Sequence, residues 1–320
     1  MSKRVLITTS PFGELDPAAL RLLEREHIEY KLNPAGRRLR EAEVAELIGP
    51  YEVMIAGTEP LTAAVLRRAP HLRLIAHTGI GLDNIDLDAA RTRGIAVTYT
   101  PAAPSPAVAE LVIGQMIALL RKTPHADREL RRGIWNRYIG RRLGELTVGV
   151  IGVGRAGRLV IQHLESFKPQ RIMANDLVVD EELAQWNGFS WTGKETIYRD
   201  ADIITLHVPL TGETRNMIGA RELEMMKPDA ALINTTRGEI VNETALIAAL
   251  KARPTFSAAI DVFEEEPYSG ELTKLENCLL SCHMASCTRD CRLQMELEAA
   301  HEVVRYFRGE PPATPVPESE

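Results

Sequence analysis

The chain has 320 residues, a formal net charge of −6, 26% charged residues and 45% hydrophobic residues. This length exceeds that of a usual single domain and predicts two compact units, while the ordinary composition argues against disorder and against a fibrous repeat. The acidic balance supplies no excess of positive charge to neutralise phosphates, so nucleic acid is not an expected partner.

The N-terminal residues contain only a short apolar run after Lys3 and Arg4, far below the length of a signal peptide or a membrane span. We interpret this run as a first strand and expect no membrane association. Short β-branched runs then alternate with helical segments, which is typical of a parallel sheet with crossover helices. The strands of this first series are predicted at 5–8, 53–56, 72–76 and 95–98.

Pro101, Pro104 and Pro106 interrupt the first series, and periodic apolar residues at 108–120 predict one long helix after them. A domain boundary near residue 100 follows. The next strands are continuously apolar, as strands buried on both faces of a parallel sheet are. They are predicted at 146–151, around Ile172, and at 203–206, 230–234 and 257–260, with a last helix at 288–308.

Gly152, Gly154 and Gly157 follow the strand that ends at Ile151 and open a predicted helix at 156–164. Glycines at this spacing permit a tight turn and let the backbone approach a pyrophosphate, whose charge then lies at a helix N-terminus. The pattern therefore predicts a dinucleotide site.

Asp176 ends the following strand, close to the spacing of about 20 residues expected of an acid that binds the ribose of the dinucleotide. A carboxylate there accepts hydrogen bonds from the ribose hydroxyls and repels a 2′-phosphate. Leu177 and Val178 provide no arginine that could receive such a phosphate. NAD is therefore the preferred cofactor over NADP.

Seven ordered motifs resemble those of the D-2-hydroxyacid dehydrogenase family, and most closely its phosphoglycerate dehydrogenase-like members without a regulatory domain. They lie at 79–84, 108–110, 152–157, 206–210, 234–238, 261–267 and 282–283. The resemblance covers nearly the whole chain. It implies an NAD-dependent oxidoreductase that interconverts a 2-keto acid and a D-2-hydroxy acid by hydride transfer.

With the strand pattern, this resemblance predicts two doubly wound α/β domains. A Rossmann NAD-binding domain at 101–286 is inserted into a flavodoxin-like substrate-binding domain at 1–100, which 287–320 completes. The active site is expected between the two domains. The resemblance also implies a homodimer that associates through the helix at 107–120 and the segment around Trp135. The cysteine pattern favours a cytoplasmic location.

The resemblance assigns catalysis to Arg237, Glu266 and His283 and substrate binding to Arg237 and the backbone N–H groups of Ile80 and Gly81. It assigns cofactor contacts to a larger set of residues and requires no metal. That set is Gly152, Gly154, Arg155, Ala156, Gly157, Asp176, His207, Pro209, Thr236 and Asp261.

The chemistry supports these assignments independently. Hydride transfer to a 2-keto acid builds negative charge on the carbonyl oxygen, which a protonated His283 could neutralise by donating its proton. A carboxylate at Glu266 would favour the protonated imidazole, and the planar fork of Arg237 suits bidentate binding of a carboxylate.

Each of these residues also has a purely structural interpretation. His283 could cap a helix, Arg237 could form a surface ion pair, and Glu266 could belong to an acidic loop. Three independent motif matches favour catalysis.

Two alternatives at the level of the whole protein stay open, namely an NAD(H)-sensing, corepressor-like binding protein and a phosphite-oxidising relative. A formate dehydrogenase-like function is less favoured, because that group has glutamine where this chain has Glu266.

The sequence departs from the family at several positions near the expected site. Pro104 and Ala107 stand where the family usually has asparagine and serine, and Cys282 stands where it usually has proline. In the phosphoglycerate enzymes the segment matching 56–62 contributes arginine toward the substrate phosphate, whereas here it has none and Glu59 adds a negative charge. We therefore expect a substrate without a terminal phosphate, unless arginines such as Arg37, Arg38 and Arg40 replace the lost donors.

All four cysteines, Cys278, Cys282, Cys287 and Cys291, lie in one short stretch and cannot cross-link distant parts of the fold, so a reducing compartment is expected. Their spacing fits no compact zinc or iron–sulfur motif well, and packed thiols are expected. Cys278 and Cys282 are placed at a buried sheet end, and Cys287 and Cys291 on one face of the last helix. Oxidation of these thiols is a third interpretation. The chain also ends soon after this helix, so no appended regulatory domain is expected.

Overall fold

The computed structural model describes residues 3–185 and 188–317. The contacts divide the chain into two compact units, one formed by 1–104 together with 287–320 and the other by 105–286. Among the described residues, no helix is long and apolar enough to cross a lipid bilayer.

The first unit is built on a five-stranded parallel sheet. Its elements are β1 (Arg4–Ile7), α1 (Ala18–Arg25), β2 (Glu29–Leu32), α2 (Glu41–Leu47), β3 (Val53–Ala56), α3 (Ala63–Arg67), β4 (Leu74–His77), α4 (Leu87–Thr92) and β5 (Ala96–Thr98). The strand order is β2-β1-β3-β4-β5, which is the flavodoxin-like order. All residues of β3 and β4 are buried, because helices cover both faces of the sheet.

The second unit is built on a seven-stranded parallel sheet. Its helices are α5 (Pro104–Arg121), α6 (Thr123–Leu130), α7 (Arg155–Phe167), α8 (Lys194–Asp200), α9 (Ala220–Met225) and α10 (Glu243–Ala252). Its strands are β6 (Thr147–Ile151), β7 (Arg171–Asn175), β8 (Phe189–Trp191), β9 (Ile203–Leu206), β10 (Ala231–Asn234), β11 (Ser257–Ile260) and β12 (Cys278–Leu280), in the order β12-β11-β10-β9-β6-β7-β8. The first strand, β6, lies beside both β7 and β9, as in a Rossmann sheet. The predicted pair of doubly wound parallel-sheet domains is confirmed.

The last helix, α11 (Arg289–Phe307), belongs to the first unit and not to the second. Val303 and Val304 on this helix are buried in a core that includes Val5 of β1. The side-chain oxygen of Thr288 accepts a hydrogen bond from the backbone N–H of Cys291, which fixes the start of the helix. Cys287 therefore lies before the cap, and the expectation that it shares a helix face with Cys291 is wrong.

The structure differs from the sequence predictions at β2 and at the start of α5, among other positions. Residues 29–32 form an edge strand that the sequence did not predict, because their side chains are mostly exposed and lack an apolar alternation. Helix α5 begins at Pro104 and not at Val108, so the prolines do not exclude this segment from the helix. Proline is tolerated in a first helical turn because the N–H it lacks would have no partner inside the helix there.

Candidate active site

The candidate residues of the second unit follow the carboxyl ends of neighbouring parallel strands. Strands β9, β10, β11 and β12 lie side by side in register. Because parallel strands present their carboxyl ends at one edge, the segments that follow them meet there. His207 follows β9, Arg237 follows β10, Glu266 follows β11 and His283 follows β12.

A glycine turn joins β6 to α7 at the same edge. Gly152 has a φ of +93°, and a Cβ on this residue would lie 2.5 Å from the carbonyl carbon of His207. A Cβ on Gly157 would lie 2.0 Å from the carbonyl oxygen of Gly152. Only glycine fits both positions, so the turn stays tight and backbone N–H groups line the N-terminus of α7. This cradle suits the pyrophosphate of a dinucleotide.

Asp176 anchors the glycine turn from the end of β7. One carboxylate oxygen accepts a hydrogen bond from the backbone N–H of Val153 at 2.5 Å. The other accepts from the N–H groups of Leu177 and Val178 at 2.6 and 3.3 Å. The acid assigned to the ribose therefore also fixes the conformation of the loop that receives the cofactor.

His283 and Glu266 form a hydrogen-bonded pair. Nδ1 of His283 lies 2.9 Å from Oε2 and 3.1 Å from Oε1 of Glu266. The two side chains are 35% and 27% exposed, so the pair is accessible from one side. Oε1 of Glu266 also accepts from the backbone N–H of Phe263 at 3.2 Å, which restrains the carboxylate. An imidazole held against a carboxylate is a suitable proton donor and acceptor.

Arg237 lies in the half-buried turn after β10. The side chain of Asn234 builds this turn, because its amide nitrogen donates to the carbonyl oxygen of Arg237 at 2.8 Å and its amide oxygen accepts from the hydroxyl of Thr236 at 2.6 Å. The guanidinium group donates to the carbonyl oxygen of Thr236 at 2.8 Å. Backbone and side chain of this arginine are therefore both positioned by the local turn.

Two further residues assigned to the cofactor follow β9. His207 has its Nε2 3.0 Å from the hydroxyl of Thr205, and burial lowers the pKa of its imidazole to about 4. The ring is therefore neutral at physiological pH and places no cation beneath the glycine turn. Pro209 is exposed, and its carbonyl oxygen accepts from the hydroxyl of Thr214 at 2.6 Å.

A family model for the "D-isomer specific 2-hydroxyacid dehydrogenase, NAD binding domain" matches residues 113–285, more than half of the chain. This chain belongs to that family. The match spans the glycine turn, Arg237, Glu266 and His283, and the predicted NAD-dependent dehydrogenase of this family is confirmed. The glycine cradle and the acid at the end of β7 fit NAD.

Curated relatives carry two kinds of name. The glyoxylate reductase of Thermococcus litoralis is 38% identical over 80% of each chain, and that of Aeropyrum pernix is 35% identical over 97% of this chain and 94% of its own. The D-3-phosphoglycerate dehydrogenase of Archaeoglobus fulgidus is 36% identical over 84% of this chain. This chain covers only 52% of that longer protein.

Solved structures share the complete fold of this dehydrogenase. The TT0316 protein of Thermus thermophilus has a TM-score of 0.89 and 31% identity, with 98% of this chain and 100% of that chain covered. The D-lactate dehydrogenase of Aquifex aeolicus, solved with NAD and lactic acid, has a TM-score of 0.85 and 25% identity, with 96% of each chain covered.

The substrate residues assigned to the first unit lie after β4. Ile80 is 39% exposed and Gly81 is half-buried. Glu59, which was expected to add negative charge near the substrate, is only 1% exposed. Its carboxyl group turns inward to the hydroxyl of Thr8 and to the backbone N–H of Gly57. That expectation is therefore wrong, because the loop after β3 folds this side chain into the unit.

The four cysteines of the dehydrogenase form no disulfide. Cys291 is buried, Cys278 is half-buried, and Cys282 and Cys287 are exposed, so the expected burial of Cys282 is wrong. The strand β12 ends at Leu280, which leaves Cys282 in the turn beyond it. Within 3–185 and 188–317, no group of three or more histidine, cysteine or acidic side chains is arranged to hold a metal ion.

One buried group of contacts lies beside the candidate site. The side chain of Asp261, which the resemblance assigns to the cofactor, is 0% exposed and binds the segment that carries His283. Ser281 and Gln115 contribute to the same group of contacts. In the sequence, the only feature that could have indicated these contacts is Ser281, two residues before His283.

Proposed function

We propose that this dehydrogenase reduces small, unphosphorylated 2-keto acids to D-2-hydroxy acids, and catalyses the reverse reaction, with His283 as the general acid and base. The hydrogen-bonded pair of His283 and Glu266 at the strand edge of the NAD-binding unit is the observation that supports it most. NAD(H), when bound, supplies or accepts the hydride.

His283 moves the proton in this proposal. Glu266 contacts Nδ1, so the proton exchanged with the substrate oxygen is assigned to Nε2. During reduction the imidazolium gives up this proton as negative charge develops on the carbonyl oxygen. In the reverse direction the neutral imidazole takes the proton from the hydroxyl group. Glu266 orients the ring and stabilises its charged form.

Arg237 orients the substrate in this proposal. Its guanidinium group suits the substrate carboxylate, to which it can donate two parallel hydrogen bonds. The turn built by Asn234 and Thr236 restrains the arginine before substrate arrives. The assignment of Ile80 and Gly81 to the same carboxylate stays a prediction from the resemblance, as do the cofactor contacts of Thr236 and Pro209.

Several observations favour a substrate without a phosphate. The segment 56–62 contains no arginine or lysine. Arg37 and Arg40, which were considered as replacements, both bind Glu43, at 2.7 and 3.3 Å. Each charge-assisted hydrogen bond to a phosphate contributes roughly 1.5–3 kcal/mol, so its absence weakens binding about tenfold or more. The names of the glyoxylate reductase relatives point to the same class of small keto acid.

NADH oxidation across a panel of keto acids tests the proposal. The panel contains glyoxylate, hydroxypyruvate, pyruvate and 3-phosphohydroxypyruvate, with phosphite and NAD as a separate arm. We expect higher kcat/KM for glyoxylate or hydroxypyruvate than for the phosphorylated acid, and a D-configured product where the product is chiral. A preference for 3-phosphohydroxypyruvate would contradict the substrate assignment.

Arg38 provides a matched variant for this panel, because Arg37 and Arg40 both bind Glu43 and Arg38 is the third arginine that was considered as a replacement donor. Arg38→Ala should leave the ratio of kcat/KM for hydroxypyruvate and its phosphorylated form unchanged. Absence of turnover on every acid, with NADH binding intact, would favour the NAD(H)-sensing alternative. Oxidation of phosphite alone would favour the phosphite-oxidising one.

We also infer a homodimer that associates through α5 and the segment after α6. Ile134, Trp135 and Ile139 in that segment are 49%, 80% and 99% exposed, an apolar run suited to burial against a second copy. Light scattering at micromolar concentration should give twice the chain mass, and Trp135→Glu should lower the measured mass toward that of one chain.

The free cysteines support a reducing, cytoplasmic location.

A further inference from the structure

Arg158 joins helix α7 to the segment that follows β7. Its Nη1 binds the carboxylate of Asp180, and its Nη2 donates to Oε2 of Glu182 at 2.6 Å. Arg158 comes directly after Gly157 in the helix that the glycine turn opens, and Asp180 lies four residues after Asp176. The ion pairs therefore connect the two elements that flank the predicted dinucleotide site.

Asp180 also organises the far end of this segment. Its Oδ1 accepts from the backbone N–H groups of Glu182 and Leu183 at 3.0 and 3.3 Å. Its carbonyl oxygen accepts from the indole N–H of Trp191 on β8 at 3.1 Å. Leu183 is 0% exposed and belongs to the same buried cluster as Ile172 of β7. The far end of the segment is therefore anchored to the sheet.

The residues between the two acids are apolar and exposed. Leu177, Val178 and Val179 are 97%, 77% and 56% exposed. Asp176 holds their near end, because its Oδ1 accepts from the backbone N–H groups of Leu177 and Val178. A run of exposed apolar residues in a folded protein usually has a binding function. Next to an acid assigned to a ribose, this run suits the flat base that the ribose carries.

The geometry of the ion pairs restrains the segment from the side of α7. A planar guanidinium group that binds two separate carboxylates has little freedom to rotate. The side chains of Arg158 and Asp180 are 36% and 27% exposed, so water screens their pair less than it screens a fully exposed one. Glu182 is 76% exposed and contributes the weaker contact.

We propose that Arg158 is a positioning residue that, with Asp180 and Glu182, fixes the segment 177–183 in the conformation that receives the adenosine end of NAD(H). A segment that is ordered before the cofactor arrives lowers the entropic cost of binding. The inference rests on the assignment of Asp176 to the ribose. It does not depend on the proposed reaction, because cofactor binding is measured without a keto acid.

The main test is Arg158→Gln, which removes both ion pairs. We expect the Kd values for NADH and for ADP-ribose to rise by about threefold to tenfold, and the Kd for reduced nicotinamide mononucleotide, which lacks adenosine, to change by less than about twofold. Fluorescence, calorimetric and NMR titrations measure the three values. In the cofactor-free protein, amide hydrogen exchange over residues 177–184 should become faster.

Glu182→Gln approaches the same contacts from an exposed partner, so it leaves the packing of the unit intact. Exchange over residues 177–184 should rise by a smaller factor, and the Kd for ADP-ribose should rise by about twofold. If the carboxylate acted only through its charge, its removal would tighten the binding of an anionic cofactor. Tighter binding in this variant would therefore overturn the proposal.

Arg221→Gln is the matched control, because Nη2 of Arg221 donates to Glu195 at 2.7 Å in an ion pair between α9 and α8 of the same unit. It should leave the Kd values for all three ligands unchanged. If Arg158→Gln does not fold, as judged by circular dichroism, Glu182→Gln decides the question, and unchanged exchange over residues 177–184 in that variant overturns the proposal.

Two outcomes in a folded Arg158→Gln protein would also overturn it. One is an unchanged Kd for ADP-ribose. The other is an equal rise in the Kd values for ADP-ribose and for reduced nicotinamide mononucleotide, which would mean that Arg158 supports the glycine turn as a whole and not the adenosine end. If no keto acid is reduced, the proposed function fails, but these binding measurements still test the positioning role.

Discussion

Among individual residues, His283 is the most constrained position of the candidate site. Its backbone lies in the left-handed region, its N–H donates to Asp261, and its ring binds Glu266. These restraints come from β11 and β12, two paired strands, so the ring orientation depends on the sheet and not on the loop alone. In the proposed mechanism, a histidine held in this way would need little rearrangement before it transfers a proton.

Replacing His283 by alanine is expected to lower kcat by about two to four orders of magnitude, the range for a lost general acid. NADH binding should survive, because the glycine turn and Asp176 are unaffected. Stopped-flow NADH oxidation and fluorescence titration of NADH measure the two quantities. Normal turnover in the variant would remove His283 from the mechanism.

Replacing Glu266 by glutamine is expected to shift the upper pH limit of keto-acid reduction downward. A neutral amide stabilises an imidazolium less than the carboxylate that contacts Nδ1 of His283 does, so the variant should lose activity at lower pH than the parent protein. The check is the pH profile of kcat/KM for the keto acid from pH 5 to 10. Identical profiles for the variant and the parent protein would mean that the two side chains are not coupled.

At the scale of elements, one continuous segment carries both a local sequence pattern and an expected cofactor site. This segment consists of β6, the glycine turn, α7 and β7. Gly152 and Gly157 allow close packing of the turn, and Asp176 at the end of β7 binds the turn through Val153. A cofactor bound here would contact groups that the loop itself has already ordered. Pre-ordering of this kind lowers the entropic cost of binding.

Replacing Asp176 by alanine is expected to narrow the preference for NADH over NADPH. The change removes the ribose contacts and the repulsion of a 2′-phosphate, and it also releases the backbone N–H of Val153. Asp176→Asn is the matched control, because it removes the charge and keeps an acceptor for the turn. The measurement is kcat/KM for both cofactors, and equal use of NADH and NADPH by the unaltered enzyme would contradict the role of Asp176.

At the scale of the whole molecule, each of the two units has its own parallel sheet and its own apolar core. The last helix, α11, completes the first unit, so the residues of the second unit form an insertion within the first. The first unit needs contacts between the two ends of the chain, which is a feature of high contact order. It also contains a buried acid, Glu59, which is 1% exposed.

Replacing Glu59 by glutamine is expected to change how stability depends on pH. Burial raises the pKa of Glu59 above its ordinary value of 4.5, so the folded state holds the proton more tightly than the unfolded state does. The resulting stability is fully present below the ordinary pKa and is lost as pH rises through the raised value. Glutamine accepts from Thr8 and Gly57 without ionising, so the variant should gain stability relative to the parent protein as pH rises above the ordinary carboxyl pKa.

Amide hydrogen exchange of Val53–Ala56 is the appropriate measurement, because it reports on the first unit alone. Tryptophan fluorescence serves as the control, because Trp135 and Trp191 belong to the second unit, and it should show the same pH dependence in the variant and in the parent protein. If the exchange rates of the parent protein and of Glu59→Gln depend on pH in the same way, burial does not alter the ionisation of Glu59 and the prediction is wrong.

The sequence by itself determined the features that depend on nearby residues. The strand before Gly152, the glycine turn and the helix after it lie within one short segment, so their pattern is visible without knowledge of the fold. The strands 53–56, 203–206 and 257–260 were predicted to the residue, because continuous apolar side chains mark buried parallel strands. Edge strand β2 was missed because its exposed residues carry no such mark.

Only the tertiary structure decided which distant residues meet. The order of β10, β11 and β12 brings the segments of Arg237, Glu266 and His283 to one edge, and no local pattern specifies that order. The inward turn of Glu59 and the three donors around Asp261 depend on loops that approach from elsewhere in the chain. An acidic side chain in a loop looks the same in sequence whether it faces solvent or is buried, because its environment is set by long-range packing.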